Sequence, residues 1–126
     1  MQQVSDYELE LMKIIWAAGG TALYAEISEA LEARGSSWTK NTIITLLSRL
    51  VDKGMLKTSK IGRRNKYVAL VGEADYKQEQ TVQFLDKIFE GNTSGLVSAL
   101  IQKDLLTADD YEELERFWKG GGGKNE

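Results

Sequence analysis

The 126-residue chain contains no cysteine, no histidine and no proline. Without cysteine there is no disulfide framework, no thiol nucleophile and no thiolate metal site. Without histidine, a Ser-His-Asp triad and a histidine-ligated zinc site are excluded as well. The absence of proline removes polyproline segments and favours long, regular helices. No apolar run approaches the ~20 residues of a membrane span, and the first residues lack the basic-then-apolar order of a signal peptide. A cytoplasmic protein with no membrane association is the expectation. The length is that of one domain or of two small units, too short for most α/β enzyme folds.

Apolar residues make up 42% of the chain, enough for a core. Charge is unevenly placed. The net charge of -3 combines a net +3 over residues 1–72 with a net -6 over residues 73–126. Residues 38–66 hold Lys40, Arg49, Lys53, Lys57, Lys60, Arg63, Arg64 and Lys66 against Asp52 alone. A basic block inside an acidic chain indicates a local polyanion site; a solvated face is the competing explanation.

Apolar spacing organises the first half. Leu9, Met12, Ile15 and Trp16 predict a helix over 6–17, with Asp6 as cap and Gly19-Gly20 as stop. Thr21 is the expected N-cap of a second helix carrying Leu23, Ile27, Ala30 and Leu31. The clearest pattern is Ile43, Leu46, Leu47, Leu50 and Val51, a narrow apolar stripe on a helix capped by Thr39 and closed by Lys53-Gly54. Asn41, Thr45, Ser48, Arg49 and Asp52 lie opposite. Residues 55–61 and 66–71 predict two short strands around a Gly62–Asn65 turn.

Three further helices are expected over 74–90, 94–104 and from Thr107, the last with Asp109-Asp110 in its first turn. Their apolar positions are Val82, Leu85, Ile88 and Phe89; Leu96, Val97, Leu100 and Ile101; and Tyr111, Leu114, Phe117 and Trp118. About 54 residues in three short helices bury themselves poorly. A two-fold dimer is the economical cover, with Val82, Leu85, Phe89, Leu96, Val97, Leu100, Leu114, Phe117 and Trp118 as candidate interface residues. Folding back onto the first half is the alternative. Residues 120–126 read as a flexible tail.

The order helix, helix, helix, basic hairpin predicts a mostly α protein with a small β-hairpin wing. It divides into a winged helix-turn-helix over 1–72 and a helical dimerisation region over 73–119. Such a unit places its reading helix in the major groove of double-stranded DNA while other contacts hold phosphates. The candidate DNA-binding residues are Thr39, Lys40, Asn41, Thr42, Thr45 and Arg49 on the reading helix. Lys60, Arg63, Arg64 and Lys66 are those of the wing. Asn41 suits adenine, Thr42 and Thr45 suit bases or phosphates, and Arg49 suits a phosphate or Asp52. Ile44 is a core-edge residue or a thymine-methyl contact. Trp16 and Trp38 read as packing residues. The acids Asp109, Asp110, Glu112 and Glu113 have a sufficient structural role at a helix start, so neither an enzyme nor a cofactor is expected. A winged-helix protein-interaction module is the alternative function.

From Tyr7 to Trp118 the chain resembles the BlaI/MecI/CopY family of bacterial transcriptional repressors. The resembling stretches are Glu8–Trp16, Thr21-Ala22 with Glu26-Ile27, Trp38–Ile43, Thr45–Leu50, Lys53–Leu56, Gly62-Arg63 with Tyr67, Phe84-Leu85, Leu96-Val97 and Glu112–Leu114. The resemblance implies a homodimeric repressor on an inverted-repeat operator. Base contact falls on Asn41 and Thr42, and phosphate contact around Arg63 and Lys66. The chain departs from the β-lactam branch at Ile44, where a basic residue is common, and at Thr39-Lys40-Asn41, where Ser-Pro-Lys is common. In that branch a membrane sensor triggers cleavage at an Asn-Phe bond; Ala99-Leu100 occupies those positions here. The paired cysteines of the copper branch are absent. Repression is therefore expected without either inducing motif, and protease-linked induction stays open.

Overall fold

The computed structural model describes residues 3–122. Its elements run α1 (Asp6–Ala17), β1 (Thr21–Leu23), α2 (Tyr24–Ala33), α3 (Lys40–Asp52), β2 (Leu56–Ile61), β3 (Arg64–Ala69), α4 (Glu73–Phe89), α5 (Thr93–Gln102) and α6 (Ala108–Phe117). A π-helical turn, Trp118–Gly122, follows α6. The expected tail therefore begins with a helical turn, and its residues 123–126 lie outside the described residues.

The chain divides into two compact units, residues 1–78 and 79–126. The first contains the core. α1 contributes Leu11, Met12, Ile14 and Ile15, α2 contributes Ile27 and Leu31, and α3 contributes Ile43, Leu46, Leu47 and Leu50. Val4, Ala22, Met55, Leu56, Tyr67 and Tyr76 complete it. Four of the five stripe residues of α3 are thus buried, each contributing roughly 1.5–3 kcal/mol, while Val51 is half-buried against the core. The sheet is antiparallel with order β1-β3-β2.

Local chemistry explains the element ends, and it corrects three sequence expectations. α1 is capped by Ser5 rather than Asp6. The Ser5 hydroxyl accepts from the Glu8 amide at 3.2 Å, and the Ser5 amide donates to the Glu8 carboxylate at 2.7 Å. This closes a capping box that Asp6, one residue inside the helix, cannot form. Thr21 caps no helix. Residues Thr21–Leu23 instead pair with Lys66–Val68 as an edge strand, and the Leu23 amide at the start of α2 donates to the Glu26 carboxylate at 2.7 Å. The hairpin turn is shorter than expected. Ile61 pairs directly with Arg64, leaving only Gly62-Arg63 as the loop, with Gly62 at φ +63°. Glycine at the first position of a two-residue hairpin loop supplies the left-handed backbone that matches strand twist.

Among the described residues of this unit, one charged side chain is buried. Glu8 is 1% exposed, and Lys53, at the C-terminal end of α3, donates to its carboxylate at 2.6 Å. Burial raises the carboxyl pKa, but the bonds from Lys53 and Ser5 outweigh it and hold Glu8 below its ordinary value of 4.5. The second unit is different in kind: α5 and α6 contain no buried residue.

Candidate nucleic-acid interface

The candidate surface is built from the start of α3. Thr39 caps the helix, accepting from the Thr42 amide at 3.2 Å, and the two hydroxyls bond each other at 3.0 Å. Because Ile43, Leu46, Leu47 and Leu50 face the core, the remaining turn positions must face outward. Asn41, Thr42, Thr45, Ser48 and Arg49 are all exposed. Asn41, Thr42, Thr45, Leu46 and Arg49 line a shallow depression of about 270 Å³ along this face. The face thus offers an amide, hydroxyls and a guanidinium on one helix side, the donor and acceptor types that base edges and phosphates require.

A second cleft, of about 240 Å³, joins three elements. It is lined by Leu23, Tyr24 and Ala25 at the start of α2, Lys40 and Ile44 on α3, and Arg63, Arg64 and Asn65 at the wing tip. The Lys40 ammonium lies 5.8 Å from the centroid of the Tyr24 ring, which holds its charge at the cleft wall. Ile44 is half-buried here, at the edge of the core.

The wing cations do not form one cluster. Paired residues share a sheet face, and Leu56 and Tyr67 mark the buried face. Lys60, paired with Asn65, belongs to that face near the tip. Lys66 and Arg64 belong to the other, and Arg63 sits in the turn. Among the described residues, none of Lys60, Arg63, Arg64 and Lys66 joins an ion pair. Their charge is uncompensated, as a polyanion partner requires. Lys53, counted with them in the basic block, is instead committed to Glu8.

Trp16 and Trp38 are packing residues, as expected. Trp38 meets Tyr7 edge-on with centroids 5.0 Å apart. Trp16 packs on Tyr76 at 5.7 Å, and its indole Nε1 donates to the Val71 carbonyl at 2.9 Å. The participation of Tyr24 and Asn65 in the cleft was missed from sequence. Tyr24 carries no spacing signal, because its place in the cleft depends on where α3 and the wing tip meet it.

The fold and this surface define a winged helix-turn-helix protein, with α2 and α3 as the helix pair and β2–β3 as the wing. The penicillinase repressor family profile matches residues 4–120. The chain is 34% identical over 112 residues to the penicillinase repressor of Bacillus licheniformis, spanning 89% of this chain and 86% of that one. It is 33% identical over 115 residues to the methicillin resistance regulatory protein MecI of Mammaliicoccus sciuri, spanning 91% and 92%. Among solved structures it resembles the DNA-binding domain of the repressor BlaI, with 40% identity and a TM-score of 0.51 over 59% of this chain and 88% of that one. It also resembles the monomeric form of Bacillus licheniformis BlaI in complex with the blaP half-operator, with 40% identity and a TM-score of 0.50 over 60% and 89%. The chain belongs to the penicillinase repressor family, a family of repressors and not of enzymes.

Proposed function

We propose that this protein is a cytoplasmic transcriptional repressor that binds an inverted-repeat operator in double-stranded DNA as a homodimer. α3 lies in the major groove, with Asn41, Thr42 and Thr45 toward base edges. Lys40 and Arg49 meet flanking phosphates. Lys60, Arg63, Arg64 and Lys66 of the wing meet the backbone. The observation that carries this reading is the outward polar face of α3 beside uncompensated wing cations, on a fold shared with a BlaI–half-operator complex. Thr39 contributes chiefly by capping, since its hydroxyl is already engaged.

The homodimer rests on the second unit. Val82, Phe117 and Trp118 are 55%, 64% and 70% exposed, and Leu114 is 53% exposed. Val97 is also exposed, while Leu85, Phe89, Leu96 and Leu100 are half-buried. With this much open apolar surface, and with no buried residue on α5 or α6, these helices need a partner. A second copy covers them and places two reading helices on a palindrome. The dimerisation role is assigned to residues 73–119.

Fluorescence anisotropy with the DNA upstream of the protein's own gene, against a scrambled duplex and over a salt series, tests the proposal. Tight, salt-sensitive binding that prefers the native duplex is expected. Absence of binding at low salt refutes it in favour of a winged-helix protein-interaction module.

A further inference from the structure

The junction between the wing and α4 is where a glycine would be expected to act as a swivel. β3 ends at Ala69, and Leu70, Val71 and Gly72 lead into α4. A Cβ added to Gly72 would meet nothing closer than Asp75 Oδ2 at 4.0 Å, so packing at this position does not fix the backbone. Three contacts remove that freedom from both sides. Trp16 Nε1 donates to the Val71 carbonyl at 2.9 Å, across 55 residues of sequence. The Trp16 ring packs on Tyr76, which is 5% exposed. The Tyr76 amide in turn donates to the Gly72 carbonyl at 3.0 Å. A single side chain of α1 thus holds the residue before the glycine and the first turn of α4 together. The compact first unit accordingly runs on to Gln78.

We propose that Trp16 is a positioning residue for operator architecture. By clasping Val71 and Tyr76 it fixes the direction in which the chain leaves the winged-helix unit, and so the half-site spacing that a dimer accepts. This rests on the dimeric-repressor reading above. The indole is required for two reasons. Its N–H satisfies a carbonyl at the swivel, and its ring area holds Tyr76. Phenylalanine retains only the second.

Two measurements on the full chain test this. In the first, amide hydrogen exchange over residues 72–78 is compared between the wild type and Trp16→Phe. Faster exchange confined to that segment is expected; unchanged exchange overturns the clasp. In the second, affinity is measured for a single half-site and for palindromes whose half-sites are moved apart by one and two base pairs. Trp16→Phe is expected to bind the single half-site as the wild type does, with its preference for the native spacing reduced about tenfold, the equivalent of one hydrogen bond. Unchanged half-site affinity with unchanged spacing preference overturns the proposal. Tyr76→Leu, which keeps a large apolar side chain in the core, serves if Trp16→Phe fails to fold, and the same outcomes apply. A wild type that binds no half-site refutes the repressor reading instead, while the exchange measurement still decides on the clasp.

Discussion

Glu8 is the buried charge of the first unit, 1% exposed. Its carboxylate closes the α1 capping box and accepts from Lys53, so it ties the start of one core helix to the end of the reading helix. Glu8→Ala removes both bonds and leaves the Lys53 ammonium, 24% exposed, with only the Gln3 carbonyl at 3.3 Å to accept from it. A loss of about 2–3 kcal/mol is expected, read from urea unfolding at neutral pH. Glu8 also makes stability depend on pH. Because its folded pKa lies below the ordinary 4.5, its contribution is present above that value. It is lost as pH falls through the lower folded value. Glu8→Gln should flatten the wild type's loss of stability below pH 4.5. Asn41 gives the residue-scale prediction for recognition. Asn41→Ala should cost roughly 1–3 kcal/mol on the preferred duplex and little on a scrambled one, measured by anisotropy.

At the scale of elements, what could be read in advance depended on whether the partner was near in sequence. The stripe of α3 and its Thr39 cap are local patterns, and both hold in the structure. Thr39→Ala should lower stability by about 1 kcal/mol in thermal unfolding and fray the turn that carries Asn41. β1 could not be read, because three residues carry no period and their partners lie at Lys66–Val68, more than 40 residues on. The burial of Glu8 was hidden for the same reason: Lys53 is 45 residues away. Among the site residues, exposure of Asn41, Thr45 and Arg49 followed directly from the stripe. The cleft that gathers Tyr24, Lys40 and Arg63 did not, since it depends on a tertiary meeting of three elements. For the wing, Arg63→Ala with Arg64→Ala should weaken binding to all duplexes alike and reduce the salt slope by about 2.

At the scale of the whole molecule, the two units differ in what makes them stable. The first has a closed core that includes Tyr76. A fragment of residues 1–78 should therefore fold alone and be monomeric by light scattering, whereas the full chain should be dimeric. A fragment ending at Gly72 lacks Tyr76 and should melt lower. The second unit leaves Leu105, Phe117 and Trp118 more than 60% exposed. Replacing Phe117 and Trp118 by serine should shift the full chain toward monomer. Operator affinity would then fall toward that of one half-site, because the second contact is no longer intramolecular.

β1 pairs with β3 only over Lys66–Val68, whereas β2 and β3 run on together through Asn65 and Arg64 to the turn. The last rungs of the wing are therefore a two-stranded ribbon continuing from a three-stranded root, and a ribbon of that kind is only marginally stable by itself in water. The wing is a cantilever, three strands wide at its root and two strands wide where it carries Arg64 and the turn residue Arg63. In the proposed complex the tip would follow the changing height of a phosphate rail while the root, and the helix packed behind it, keep their register. In the proposed DNA complex, sequence-dependent variation in groove width would then be taken up at the tip ahead of Asn41.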